Sequence, residues 1–256
     1  MGIEVECFIF DKNDNRIPVN KGSSFSASDL LKELESSSNG NYSLEPGGQI
    51  EWSSPPSYRL KDIERDLLEY KDSLDKILNR EGFKSLYIGV DPFNNPREID
   101  LIAQKKYLLM NDNMDKKGSL GKWMMRNTCS IQINYDIIDE PDLEELTFIL
   151  DCIHPITSYL FSNSPFIEKK PNGNLNLRNH IWENTDSDRC RSLVDHGIFK
   201  RKDLLELYLE FASKVPSIFK LDDDLNIQSS KSALGDDLKS RFDKGSLRPE
   251  DIQAAL

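Results

Sequence analysis

The sequence predicts an α+β fold, a mainly antiparallel sheet with helices packed on one face. Three observations carry that expectation. Short segments near the N-terminus and around residue 130 alternate polar and apolar residues with the strand period of two. One long segment, 60–81, repeats apolar residues at helical spacing. Strands and helices are mixed without the regular alternation of a doubly wound sheet. The sheet face away from the helices is expected to be polar and to bear the ligand.

Residues 2–10 read as a strand, with Glu4 and Glu6 on one face and Ile3 and Val5 on the other. Residues 11–26 are polar and turn-rich. Asp29 to Leu34 read as a short helix capped by Ser26 or Ser28. Residues 42–53 form a hairpin-like pair around Pro46-Gly47-Gly48. From Leu60, apolar residues recur at Ile63, Leu67, Tyr70, Leu74, Ile77 and Leu78, and Gly82 supplies the stop. Ser85 to Val90 is a strand opening into a loop from Asp91 to Pro96. Residues 104–126 form basic, Met-rich helices broken at Gly118 and Gly121. Thr128 to Tyr135 alternates, with Ser130, Gln132 and Asn134 on one face and Ile131, Ile133 and Tyr135 on the other. Residues 140–161 form a helix interrupted at Pro155. Leu204 to Phe211 is a helix, Ser217 to Leu221 a short strand, and 229–256 a polar tail of helical character.

At 256 residues the chain is long enough for a substantial core. No apolar run approaches the roughly 20 residues that span a bilayer, and no basic stretch precedes an apolar one at the start; a cytoplasmic protein with no membrane partner is expected. A net charge of −11 argues against nucleic acid as a partner, because phosphate contacts need clustered Lys and Arg. Cys7, Cys129, Cys152 and Cys190 are widely spaced, so reduced and mostly buried thiols are expected rather than a zinc or disulfide framework. His154, His180 and His196 have no metal-ligand spacing, and His154 is expected to pack within its apolar helix.

The chemistry concentrates in Gly2-Ile3-Glu4-Val5-Glu6 and Leu44-Glu45-Pro46-Gly47-Gly48-Gln49-Ile50-Glu51. Like charges sharing a sheet face repel unless a cation lies between them. Hard oxygen ligands suit magnesium or manganese, which in enzymes often also hold nucleotide phosphates. Either pair alone is equally well read as a solvated strand face. The two together, with Gly-Gly allowing close backbone approach, favour a metal site.

These segments resemble the plant-type and bacterial glutamate–cysteine ligase family, carboxylate–amine ligases of glutamine-synthetase-like fold. Further matches follow in order: Gly118-Ser119-Leu120-Gly121, the run Trp123 to Asn134, Leu160 to Phe166, Pro171-Asn172-Gly173, and Arg178 to Asp186 with Arg189 just after. The resemblance implies a curved sheet and an ATP-dependent enzyme. That enzyme would activate the γ-carboxylate of glutamate as an acyl phosphate and join it to the amine of cysteine, for glutathione synthesis. It also implies Mg2+ or Mn2+, ATP as co-substrate, small-molecule partners, and leaves a homodimer open. Carried onto this chain, Glu4, Glu6, Glu45, Glu51 and Gln132 match acidic and amide metal ligands. Arg178 and Arg126 are the expected catalytic cations. Lys106, Tyr107, Asn134 and Trp182 are the expected substrate contacts.

The chain also departs from the family pattern. Lys106-Tyr107 stands where plant relatives have Arg-Tyr, and Asn111 replaces an arginine. Lysine cannot make the two parallel hydrogen bonds by which arginine grips a carboxylate. The segment Pro56-Ser57-Tyr58-Arg59 lacks a histidine often found there. The family continues into a strand carrying Glu-x-Arg, where this chain reads Arg248 to Leu256, and has a helical segment before the first strand. The chain is therefore expected to be one ligase-like domain over residues 1–256, incomplete at both ends. A non-catalytic or partner-completed glutamate- or metal-binding homologue, and a ligase using another acceptor, are the alternatives.

Overall fold

The computed structural model describes residues 1–37 and 40–253. The chain divides into two compact units, each described by itself. The first comprises Met1–Ala103, Lys122–Asp136 and Ser158–Ile181; the second comprises Gln104–Gly121, Ile137–Thr157 and Trp182–Leu256.

In chain order the elements are β1 (Gly2–Asp11), α1 (Ala27–Ser37), β2 (Asn41–Leu44), β3 (Ile50–Ser53), α2 (Leu60–Glu81), β4 (Phe83–Leu86), α3 (Lys105–Lys117), α4 (Gly121–Asn127), β5 (Ile131–Asn134), α5 (Glu140–Leu160), β6 (Phe166–Ile167), β7 (Lys170–Pro171), α6 (Leu177–Glu183), α7 (Leu204–Lys214), β8 (Phe219–Leu221), β9 (Ile227–Ser229), α8 (Leu234–Asp243) and α9 (Pro249–Gln253). Mixed helices and antiparallel strands make the fold α+β, as the sequence predicts.

The first unit is built around β1. Its residues 4–7 pair with β3 on one side, and β2 continues the sheet beyond β3. On the other side β5 pairs with residues 2–5 and β4 with residues 8–11, so two strands succeed each other along one edge. All four pairings are antiparallel. The odd-numbered residues Val5, Cys7 and Ile9 are buried with Ile50 and Trp52 of β3, Leu30 and Leu34 of α1, and Tyr70, Leu74 and Leu78 of α2. The Trp52 and Tyr70 rings stack at 5.1 Å between centroids and 5° between planes. Both helices thus cover the odd face of β1. The even face is apolar only at its far end, where Phe8, Phe10 and Cys129 are buried together.

Local chemistry explains the helix ends. Ser26 caps α1: the Asp29 N–H donates to Ser26 Oγ at 3.2 Å, and the Ser26 N–H donates back to Asp29 Oδ2 at 3.2 Å. This reciprocal pair satisfies two backbone donors that the helix itself leaves unpaired. Gly82 closes α2 with φ 79°, its N–H returning to the Leu78 carbonyl.

The structure corrects several expectations. Helix α5 runs through Pro155 without a break. A proline removes one ladder bond and crowds the carbonyl four residues back, yet the helix continues on both sides of it, and Thr157 Oγ1 donates to the Ile153 and His154 carbonyls at 3.2 and 3.1 Å. His154 and Cys152 on this helix are exposed rather than packed. Cys7 and Cys129 are buried, Cys190 is half-buried, and all four thiols are free. The apolar side of β5 lies open among the described residues, with Ile131 69% and Ile133 50% exposed. Strand β4 begins and ends earlier than the 85–90 expectation, although Val90 makes an isolated bridge to Thr128.

The second unit contains the β8–β9 hairpin with α7, α8 and α9. The Arg248 guanidinium donates to the Asp222 and Asp223 carbonyls of the hairpin turn at 2.8 and 2.9 Å and pairs with Asp251. The expected helical tail is realised as α8 and α9 and is preceded by β9; its last residues, 254–256, lie outside the described residues.

Ser26→Ala removes the α1 cap and is expected to cost about 1 kcal/mol of unfolding free energy. Urea denaturation checks this; an unchanged midpoint would mean the cap contributes nothing.

Candidate active site

The strand registers gather the carboxylates. Residues opposed on neighbouring strands share a face. Glu6 faces Glu51 across β1 and β3, and Glu4 faces Ser53. Glu4 also faces Gln132 across β1 and β5, and Gly2 faces Asn134. Glu51 in turn faces Ser43. Opposed positions place Cβ atoms about 5 Å apart and diagonal ones about 7–8 Å apart, so Glu4 and Glu51 are near neighbours on one face. The Glu45 N–H donates to the Gln49 carbonyl at 2.9 Å, continuing the hairpin ladder one step beyond Leu44. That register puts Glu45 at the turn end of the face that carries Ser43 and Glu51.

Glu4, Glu6 and Glu51 accept from neutral donors. Glu6 Oε2 accepts the Ser130 backbone N–H at 2.9 Å, while Oε1 accepts Ser130 Oγ at 3.0 Å and Gln132 Nε2 at 3.3 Å. Glu4 Oε1 accepts Asn134 Nδ2 at 2.9 Å, and Glu51 Oε1 accepts Ser43 Oγ at 2.8 Å. Burial pushes the Glu6 carboxyl above its ordinary value of 4.5, and the Glu51 charge adds to the rise. The Ser130 hydrogen bonds and the positive charge of Arg178 oppose it.

Arg178 lies on α6, where its N–H donates to Ser164 Oγ at 3.2 Å. Its side chain runs beside Gly89, Cδ standing 3.5 Å from the position a Cβ there would take. Burial lowers its pKa, and the Glu6 charge opposes that shift. Arg126 is half-buried on α4, and its Nε donates to the Ile99 carbonyl at 2.9 Å. The structure thus brings Glu4, Glu6, Glu45, Glu51, Gln132 and Asn134 onto one face of the sheet, and Arg178 on α6 acts electrostatically on Glu6. Lys106, Tyr107 and Trp182 belong to the second unit. There Lys106 Nζ lies 5.9 Å from the Phe219 ring and 6.0 Å from the Tyr107 ring, and the Trp182 carbonyl accepts the Thr185 N–H at 3.1 Å.

Two residues on this face were not singled out from sequence. Ser130 supplies two of the three donors to Glu6, and Ser43 supplies the donor to Glu51. Each lies two positions before a site residue, Gln132 and Glu45, so the strand period alone points to both.

The oxygen-rich donor set fits a hard divalent cation in chemistry and in face. An amide such as Gln132, turned over about its terminal bond, would present oxygen instead of nitrogen. Among the described residues no three His, Cys, Asp or Glu side chains are grouped to hold a metal ion. The fit therefore rests on the facing pair Glu6 and Glu51 with neighbouring neutral oxygens, not on a closed cage.

The face thus sets carboxylates and amides on adjacent antiparallel strands. Residues 1–249 match the model of glutamate-cysteine ligase family 2 (GCS2), and the chain belongs to that family. Over 177 residues, 69% of this chain, it is 36% identical to chloroplastic glutamate–cysteine ligases of Medicago truncatula and Arabidopsis thaliana, covering 34% of each. It is also 36% identical over 177 residues to glutamate–cysteine ligase A, chloroplastic, of Oryza sativa subsp. indica, covering 36% of that protein. The chain spans about a third of the length of the curated relatives it matches.

The raised Glu6 pKa has a definite sign. The native state holds this proton to higher pH than the unfolded chain does, so its contribution to stability is present below about 4.5 and is lost as pH rises through the native value. Urea denaturation across pH 4 to about 8 should show the parent losing stability relative to Glu6→Gln over that range. Parallel curves for the two proteins would mean that Glu6 titrates normally.

Proposed function

We propose that the acidic face serves an ATP-dependent ligase that activates the γ-carboxylate of glutamate and joins it to the amine of cysteine in glutathione biosynthesis. One observation carries the reading: in a chain of the glutamate-cysteine ligase family, Glu4, Glu6, Glu51 and Gln132 share a sheet face, and the charge of Arg178 on α6 acts on Glu6. A glutamine-synthetase-like sheet, a cytoplasmic location, small-molecule partners and a homodimer belong to the same proposal.

The reaction runs in two balanced steps. A glutamate γ-carboxylate oxygen attacks the terminal phosphorus of ATP, and the bond to the ADP oxygen breaks. The cysteine amine then attacks the acyl carbon, phosphate leaves with the electron pair of its C–O bond, and the amine loses a proton. Catalysis of this kind is mostly alignment and charge neutralisation. Bound Mg2+ or Mn2+ would neutralise phosphate charge, and Glu4, Glu6, Glu45, Glu51 and Gln132 are the residues that would hold it. Ser130 and Ser43 keep Glu6 and Glu51 oriented toward that face. Arg178 offers a planar, permanently charged fork for a carboxylate or a transferring phosphoryl group. Arg126 adds positive charge on the segment that leads into β5. Asn134 is a proposed substrate contact on this face, and Lys106, Tyr107 and Trp182 are proposed substrate contacts on the family resemblance alone. Lysine at position 106 gives a single-point grip where arginine would give two.

A second reading, a non-catalytic or partner-completed binding homologue, is favoured by one feature: Glu4, Glu6 and Glu51 already have donors from the chain itself. A coupled assay for ADP release with glutamate, varying the amine acceptor, separates the readings. Glutamate-dependent ADP release with cysteine supports the ligase, and turnover with a different amine relocates it to another acceptor. Calorimetric binding of glutamate without any turnover supports the binding homologue.

Arg178→Lys keeps the charge and removes the fork. It is expected to lower kcat/KM by about tenfold or more, at ~1.4 kcal/mol per tenfold, with little change in thermal stability. A variant as active as the parent would make Arg178 a structural residue.

A further inference from the structure

The mechanism uses none of the charge buried beside the acidic face. Arg16, in the polar segment after β1, is enclosed: its side chain is 3% exposed and that of Asp91 is 0% exposed. Nη1 donates to Asp91 Oδ2 at 3.3 Å and to the Arg126 carbonyl at 3.2 Å, and Nη2 donates to the Gly47 carbonyl at 2.9 Å. The guanidinium carbon lies 4.6 Å from the Phe8 ring centroid and 5.9 Å from that of Phe10. Asp91 is fixed in turn, its Oδ1 accepting the Phe93 and Asn94 N–H groups at 2.8 and 3.1 Å.

These partners lie on the segments that carry the site. Gly47 is in the turn between Glu45 and Glu51. Arg126 precedes Ser130 and Gln132. Phe8 follows Glu6 by two residues on the same side of β1. The backbones also meet closely, since a Cβ on Gly47 would lie 2.6 Å from Arg126 Cα and 2.8 Å from its carbonyl oxygen. Two carbonyls and a carboxylate brought this close need a donor with several in-plane N–H groups. A guanidinium supplies them, and an ammonium does not.

We infer that Arg16 is a positioning residue: its buried guanidinium fixes the 45–49 turn, the 126–130 segment and β1 relative to one another on the same side of the sheet as the carboxylates, without touching a ligand. The functional consequence rests on the proposed reading of the face as a divalent-cation site; the mechanical part does not. Partners that orient metal ligands from behind typically change affinity by about 10- to 100-fold when altered.

The test uses the full chain with Arg16→Lys, the shape-conserving Asp91→Asn, and a control, Leu78→Ala, whose site is buried in α2 on the other side of the sheet. Amide hydrogen exchange is followed over residues 44–52, 126–134 and 63–78, and manganese(II) alone is titrated by electron paramagnetic resonance. Expected are faster exchange at 44–52 and 126–134 with α2 still protected, and manganese affinity lower by about 10- to 100-fold in both clamp variants but not in the control. Should Arg16→Lys not fold, Asp91→Asn carries the comparison. Parent-like exchange in both site segments, or equal acceleration everywhere, overturns the inference. If the parent binds no manganese, the cation reading of the face falls, and the exchange result alone decides the clamp.

Discussion

The two-residue period of β1 is the constraint from which the site follows. Val5, Cys7 and Ile9 enter the core against Trp52, Tyr70 and Leu74, so Glu4 and Glu6 must emerge on the other face. A slip of one residue would exchange the two sets, driving two carboxylates into the apolar cluster. Each buried aliphatic residue contributes roughly 1.5–3 kcal/mol on transfer from water, whereas an unpaired buried carboxylate is far more costly. The packing of α1 and α2 on one side therefore fixes which oxygens are available on the other, though neither helix contributes a site residue.

That arrangement leaves like charges opposed across β1 and β3, which is unfavourable in a sheet without compensation. The compensation is visible in Ser130, Ser43 and Asn134, which donate to Glu6, Glu51 and Glu4, and in the charge of Arg178. Burial still raises the Glu6 carboxyl above its ordinary value. A face already crowded with negative charge gains most from a cation, which connects the sheet's electrostatics to the proposed phosphoryl chemistry.

Much of this was legible in the sequence because it depends on local periodicity. The alternation in residues 2–10 and 128–135, the hairpin at Pro46-Gly47-Gly48, and the long amphipathic run ending at Gly82 each encode their element directly. The β6–β7 hairpin was not legible, because its turn residues Glu168 and Lys169 adopt left-handed φ of 46° and 66° without the glycine or asparagine that usually marks such turns. Pro155 reads as a break, yet one lost ladder bond leaves α5 continuous. The apolar pattern of α5 suggests burial, while none of its residues is buried. Arg16 sits in a stretch that reads as solvated loop. Its role arises only when segments 31, 75 and 110 residues away converge on it.

The most direct test of the central claim is a crystal structure grown with manganese(II), with the ion located by anomalous scattering. An ion is expected on the polar face of β1, bound through oxygens of Glu6 and Glu51, with Gln132 presenting its oxygen. An anomalous map with no ion on that face, Glu6 still held by Ser130 and Glu51 by Ser43, would contradict it.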